Sequence, residues 1–483
     1  MLFNSIEFLF FFPTVTFLYF AFPHRYRWFL LLIASCIFYI AFIPYYIFVL
    51  AFVIIVDYCA GLLIEHAHGR RRKLYLLMSI CANISFLAIF KYFNFINFNV
   101  IQIAKFLHWN YPIPYLSIML PIGLSFHTFQ AMSYTIEIYR GRQAPEKHFG
   151  IFALYVLFYP QLVAGPIERP QHLIHQFYEK HDFDYQRIVD GLKLMVWGFF
   201  KKLVIADNFA FFVNQVYSNP TNFEGIPLIA ATFFFAFQIY CDFSGYSDIA
   251  IGAAQVMGFR LMDNFRAPYS SVSIQEFWKR WHISLSTWFR DYVYIPLGGN
   301  RVLRAFWVRN ILITFLISGL WHGANWTFVF WGMLHAIYML TSVLTFSARS
   351  RFVEWVGLNQ FPRLHRGLKV LLTFTLVTFA WIFFRSATVS DAFYIVSHLF
   401  SNFLKSATIF LSLVGRKRIE IALAILAVFI MEYVHLMQKK VRIREWLSQQ
   451  NIFFRWTCYY GVIFLILFVG WHERPLQFIY FQF

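Results

Sequence analysis

Two imidazoles stand inside a strongly apolar chain: His282, in Lys279-Arg280-Trp281-His282-Ile283-Ser284, and His322, in Gly319-Leu320-Trp321-His322-Gly323-Ala324-Asn325-Trp326. Imidazole titrates near pH ~6.5, so at membrane depth it is a proton-transfer candidate before it is a packing element. Between the two lies the most polar part of the middle of the chain, with Arg290, Asp291, Tyr292, Tyr294, the turn Pro296-Leu297-Gly298-Gly299-Asn300 and Arg301. Chemistry, if the chain performs any, belongs here. Ser284 and Ser286 follow His282 closely, yet no Asp or Glu stands at a spacing that would orient the imidazole. Serine is also an ordinary helix cap, so a covalent serine is disfavoured.

The elements that must hold these residues are membrane helices. Of 483 residues, 60% are hydrophobic, 22% aromatic and 13% charged, which excludes a soluble domain. A bilayer core of about 30 Å takes roughly 20 apolar residues per helix. Such runs recur near 7–22, 28–43, 45–64, 75–96, 116–139, 149–165, 188–216, 226–258, 306–322, 324–346, 367–385, 419–437 and 453–471. They predict an all-α polytopic membrane protein with about 10–12 transmembrane helices plus re-entrant pieces. The opening run has no small-residue cleavage site and carries Glu7, so it reads as a retained first helix.

Lys and Arg number 41 against 23 Asp and Glu, but they scatter among short loops instead of forming one face, which argues against nucleic acid. Arg25 and Arg27, then Arg70, Arg71, Arg72 and Lys73, then Arg140, Arg142 and Lys147 fall on one side if the first five helices alternate. The positive-inside rule makes that side cytoplasmic and puts the N-terminus outside. Such a rim suits anionic lipid headgroups ahead of the phosphates of a large cosubstrate. The five cysteines lie in apolar runs with no Cys-x-x-Cys pair and no clustering with His, so neither a disulfide framework nor a metal site is expected. Cys241, beside polar residues, reads as a small buried hydrophobe ahead of an acyl carrier.

Without a long polar linker, the chain reads as one integrated membrane domain over 1–483, in three parts. Residues 1–115 and 336–483 look like scaffold helices, and 116–335 carries most of the intramembrane polar groups and the Pro/Gly breaks. Breaks at that depth are tolerated only where the backbone is buried in protein or lines a polar cavity, so the cavity is expected in the central part. Gln238, Asp242 and Gly245 share one helical face. A carboxylate in the membrane is costly and usually paired, so Asp242 and Asp248 are expected to meet a residue such as Arg266, Arg280 or Arg290.

Six segments then appear in one order. They are Pro121-Ile122-Gly123-Leu124-Ser125-Phe126-His127-Thr128-Phe129-Gln130, Tyr159-Pro160-Gln161 through Gly165-Pro166-Ile167-Glu168-Arg169, and Tyr240-Cys241-Asp242-Phe243-Ser244-Gly245-Tyr246-Ser247-Asp248, followed by Glu276-Phe277-Trp278-Lys279-Arg280-Trp281-His282-Ile283-Ser284-Leu285-Ser286, Tyr294-Ile295-Pro296-Leu297-Gly298-Gly299-Asn300 and Gly319-Leu320-Trp321-His322-Gly323. Together they resemble the membrane-bound O-acyltransferase superfamily, and within it the bacterial alginate O-acetyltransferase type, over nearly the whole chain. The aromatic tail Phe478-Ile479-Tyr480-Phe481-Gln482-Phe483 is similar as well.

The resemblance implies tilted helices around a tunnel, with His322 matching the family's histidine and His282 its second polar position. Lining or supporting roles then fall to Trp321, Asn325, Trp278, Arg280, Ser284, Arg290, Asp242, Gln238 and Tyr246. It implies acetyl-CoA as donor with no permanently bound cofactor, an acceptor polysaccharide such as alginate, peptidoglycan or cellulose, and a bacterial inner-membrane location. It also implies a periplasmic or membrane-anchored SGNH-type partner, since the chain carries no soluble domain to present a glycan. The residues agree: a neutral His322 can take a proton from a hydroxyl attacking a thioester and return it to the thiolate, help worth about 10²–10⁴ in rate. Trp321 and Trp326 are expected to keep that ring desolvated. Lys279, Arg280 and Arg290 would depress the His282 imidazole and attract an anionic cosubstrate. His335 and His127 read as hydrogen-bonded packing histidines, and Glu168-Arg169 as a loop shaping a tunnel mouth. A slim pantetheine arm can enter a funnel from which the charged nucleotide is excluded. The competing class is a transporter or flippase, whose interrupted helices usually come in two corresponding halves, whereas these breaks crowd into one third of the chain.

Overall fold

Backbone amides in lipid must find partners within their own segment, which favours helices. In the computed structural model, which describes residues 1–483 except 43, 119, 120, 164, 471–476, 480–483 and the side chain of residue 416, every regular element is a helix. Among the described residues seven helices are long and apolar enough to cross a membrane. They are α1 (Tyr46–His66), α2 (Gly69–Phe106), α3 (Ile226–Met257), α4 (Arg304–His322), α5 (Trp326–Leu344), α6 (Pro362–Arg385) and α7 (Arg418–Gln438). Ile6–Ala21, Phe403–Val414 and Ile452–Phe468 are shorter apolar helices.

Three runs expected to span are shorter or interrupted. Helix Leu124–Tyr139 starts only after Gly123, whose φ of 76° stops helix from extending backwards through Pro121. Helix Phe149–Leu157 has 9 residues before the chain turns towards Pro160 and Pro166. The run 188–216 becomes Tyr185–Phe199, a π-helical stretch Phe200–Ala206 and Asp207–Ser218.

The chain divides into two compact units, Met1–Met195 with Ser247–Met262 and Val196–Tyr246 with Asp263–Phe483. In the first, α1 packs on α2 and on Leu124–Tyr139. A polar clamp fastens them: Ser79 Oγ donates to Asp57 at 2.5 Å, Asn83 Nδ2 donates to the same carboxylate at 2.9 Å, and Ser79 and Thr135 hydroxyls lie 3.0 Å apart. Hydrogen bonds between helices hold where the hydrophobic effect cannot, so this nominal scaffold still needs a buried Asp. Glu168 is fully buried here, accepting the Met262 N–H at 2.5 Å and lying 2.6 Å from His172 Nδ1.

In the second unit α4 packs along α5, and α5 along α6. The α4–α5 pair meets through glycines: a Cβ on Gly319 would lie 2.3 Å from the Phe328 carbonyl oxygen, and one on Gly332 2.4 Å from that of Phe315. Backbones approach that closely only where no side chain intervenes. The link between the two helices is equally determined. Gly323 leaves the helix in extended conformation, and Asn325 caps the next one, its Oδ1 accepting the Thr327 N–H at 3.1 Å. His322 is thereby the last residue of α4, one turn beyond the close approach at Gly319.

Candidate active site

All the site residues named from sequence lie in the second unit. His322 is 4% exposed, and its ring meets those of Trp321 (centroids 5.0 Å apart), Trp331 (5.0 Å) and Phe384 (5.3 Å). The expected shield Trp326 is 46% exposed instead. The reason is local: with Asn325 as cap, Trp326 becomes the first residue of α5, and Trp331, more than a turn on, is the one turned inward. Phe384, from the end of α6, closes the cage.

His282 is fully buried and adopts a left-handed φ of 42°, a conformation uncommon outside glycine that its surroundings help to hold. Asn264 helps to hold it: its Oδ1 lies 3.2 Å from His282 Nδ1 and accepts from the Ser284 hydroxyl at 2.7 Å and, longer, from the Ser284 N–H at 3.4 Å. An amide oxygen can only accept, so Nδ1 carries the proton. The Phe243 ring packs edge-on at 4.5 Å, and Trp321 stands between the two histidines, 6.2 Å from His282. Burial pushes the His282 imidazole down to about 3. The neighbouring cations are not the cause expected of them: Arg280 is bound to Glu276 at 2.6 Å and Arg290 to Asp291 at 2.7 Å.

Those pairs, with Arg266 on Asp263 at 3.0 Å, also correct the expected partner of Asp242. Its partner is Lys202, 2.6 Å away, which lies 2.8 Å from Asp207 as well. Lys202 reaches them from the π-helical stretch, where Gly245 allows α3 within contact of the Lys202 backbone. The other Asp242 oxygen accepts the Ile479 N–H at 2.6 Å, and the Phe478 ring packs tilted against Tyr246 at 5.0 Å and Phe243 at 5.5 Å. Phe478 and Ile479 are therefore built into the core, one ring from His282. Tyr480 and the residues after it lie outside the described residues. Gln238, one turn before Asp242, is buried with no partner for its Oε1 among the described residues.

A cavity of about 1170 Å³ opens beside α4. Lys279, Arg290 and Arg304 supply its charge, and Trp278 and Phe315 much of its apolar wall. Its α4 stripe runs Arg304, Trp307, Ile311, Thr314 and Ser318. At helical spacing the next residue on that face is His322. Thus the structure brings His322, Trp321 and His282 together and puts Trp278 and Arg290 on the cavity, while Arg280 is paired with Glu276 and Asn325 holds the backbone, capping α5 and donating to the Ala387 carbonyl at 2.9 Å.

Residues 73–385 match the profile of the membrane-bound O-acyltransferase (MBOAT) family, well over half the chain. The chain belongs to the MBOAT family. It is an O-acyltransferase of the multi-pass membrane type, and the resemblance read in its motifs holds. It is similar to a probable alginate O-acetylase of Pseudomonas aeruginosa, 39% identical over 407 residues that cover 83% of this chain and 75% of the relative. A peptidoglycan O-acetyltransferase of Helicobacter pylori is 35% identical over 429 residues, 81% of this chain and 78% of the relative. A teichoic acid D-alanyltransferase of Streptococcus thermophilus is 28% identical over 292 residues, 54% of this chain and 68% of the relative.

The MBOAT match contains every candidate from Gln238 to Asn325, and the tail contacts of Phe478 and Ile479 lie beyond it. Sequence reasoning missed Asn264, Lys202, Trp331 and Phe384. Only Lys202 left a signal, as one of three lysines in the apolar run 188–216, where an ion demands a partner.

Proposed function

We propose that this MBOAT enzyme moves an acetyl group from cytoplasmic acetyl-CoA across the bacterial inner membrane to hydroxyls of an exported or cell-envelope polysaccharide, with His322 as general base. The observation that carries the reading is the α4 stripe: cavity-lining residues at helical spacing from Arg304 to Ser318, with His322 as the next step on the same face. The two ends of that stripe are about 27 Å apart at 1.5 Å per residue, close to the thickness of a bilayer core. The basic residues Lys279, Arg290 and Arg304 suit the phosphates of the donor, and the cavity's apolar walls suit a slim, nearly neutral arm. That relatives are named for alginate and peptidoglycan O-acetylation supports an acetyl group and a polysaccharide acceptor.

At the stripe's end the acceptor hydroxyl gives its proton to the neutral His322 imidazole as its oxygen attacks the thioester carbonyl. The C–S bond then breaks, and the imidazolium returns the proton to the leaving thiolate. The aromatic cage excludes water that would hydrolyse the thioester. His282, with its tautomer set by Asn264, supports the site from across Trp321. A separate periplasmic or membrane-anchored SGNH-type protein receives the acetyl group or presents the glycan.

The test uses the purified chain in sealed vesicles, with acetyl-CoA on the Arg304 side and glycan with partner on the other. Thiol release and glycan acetylation are expected to depend on His322. Acetylation with both substrates confined to one side would sink the transmembrane route, and efficient acetylation without a partner would sink the two-component arrangement.

A further inference from the structure

A packing histidine satisfies its ring nitrogens, and His335 does not. Its ring, on α5, is fully buried, and among the described residues neither Nδ1 nor Nε2 has a hydrogen-bond partner. The indole N–H groups of Trp278 and Trp331 are also buried without partners among the described residues, and their rings stand 5.0 and 4.9 Å from that of His335. A buried polar group left unpaired forfeits its hydration with nothing in return, and native folds seldom gather several in one place. The cluster is contiguous with the cavity. Trp278 and Phe315 line it, and both pack against His335. On its other side Trp331 abuts His322, so a single indole separates the unpaired imidazole from the proposed base.

The set has a chemical signature. A neutral imidazole offers one donor and one acceptor, and each indole offers a donor only. Their complement is a group with a carbonyl oxygen and an N–H side by side, a secondary amide, on a chain slim enough to thread between rings. We propose that Trp278, His335 and Trp331 recognise the amides of a pantetheine arm lying in the cavity, with the thioester end beyond Trp331 at His322. The arm carries two such amides, the nearer separated from the sulfur by only an ethylene unit. This assignment rests on the thioester-donor reading above. The arm is common to free CoA and to the phosphopantetheine of a carrier protein, and the cluster would bind either.

The full-length enzyme, reconstituted in vesicles, is assayed for thiol release with acetyl-CoA, acetyl-pantetheine, an acetylated carrier protein and an amide-free alkyl thioacetate. His335→Phe keeps the ring and removes both nitrogens. Loss of one hydrogen bond to the arm is expected to raise KM for the amide-bearing donors about tenfold, with kcat little changed, and the defect should be confined to those donors. His335→Gln, which restores a donor and an acceptor, should recover much of the loss. Should His335→Phe fail to reach the membrane, Trp278→Phe should give the same KM-selective pattern. An unchanged KM in a folded variant, or a fall in kcat with KM constant, overturns the assignment. A wild type that releases thiol from none of the pantetheine donors overturns the donor reading itself, a distinguishable failure. Turnover of the carrier-borne thioester alone would support the cluster and identify the source of its arm.

Discussion

Around His322 the chain uses shape. Among the described residues, rings from the same helix, the next one and the end of α6 enclose the imidazole, and a glycine-tight helix crossing sets the distance between two of those helices. Around His282 it uses hydrogen bonds, with one amide oxygen gathering the imidazole and the following serine and a strained backbone fixing the ring's direction. Rings determine where an imidazole stands, and an acceptor determines which of its nitrogens carries the proton. A group whose proton must come and go belongs in the first kind of setting, and one that must keep a single tautomer in the second.

The largest effect that can break this comparison comes from removing each imidazole in turn. His322→Ala is expected to lower acetyl transfer by at least about 100-fold, the lower bound for losing a general base, with membrane abundance near normal. His282→Ala should be the milder lesion. An equal or greater loss at His282, measured as thiol release per milligram of folded protein, would reverse the roles.

The shape argument has its own probe in Gly332→Ala. The new Cβ would fall 2.4 Å from a backbone oxygen, which cannot swing aside as a side chain can, so α4 and α5 must separate. Overpacking of this kind costs about 1–3 kcal/mol. Because Trp331 adjoins Gly332, most activity should go with it. A variant with an unchanged unfolding midpoint and full activity would show that the crossing does not position His322.

The hydrogen-bond argument is sharpened by Asn264→Ala. If Asn264 acts through His282, the single variants should resemble each other, and the double variant should be scarcely worse than either, with a coupling of about 0.5–3 kcal/mol between contacting residues. Simple additivity would mean that Asn264 serves only the backbone around Ser284.

These contrasts also mark how far the amino-acid sequence could be read. Composition forces a helical membrane protein, and His282 and His322 stand out because imidazoles are rare at such depth. What escaped was partner choice. Asp242 faced three arginines nearby in sequence, each of which turned to a local carboxylate, and took Lys202 across a π-helical stretch that no periodicity announces. Trp326 was the closer indole in sequence, but the cap at Asn325 restarts the helical phase and exchanges it for Trp331. The Ile479 N–H closes on Asp242 from 237 positions away, a contact of the kind that spacing rules do not reach. His335 was misread for the opposite reason, since a histidine among aromatics looks satisfied until its nitrogens are accounted for.

The smallest expected effect separates positioning from chemistry in the link between α4 and α5. Asn325 caps α5 through its Oδ1 and ties the link to the Ala387 carbonyl through its Nδ2, both of them backbone contacts. Replacing it with Ala removes a helix cap, worth about 1 kcal/mol, and frees the end of α6 that carries Phe384. The unfolding midpoint should drop by a few degrees at most. Activity, measured well below that midpoint, should fall less than in His282→Ala, because the glycine crossing still sets the height of His322 against Trp331. If Asn325→Ala instead matches His322→Ala in turnover while its midpoint stays put, Asn325 touches the reacting groups, and the division between a cage made of rings and a link made of caps fails at that residue.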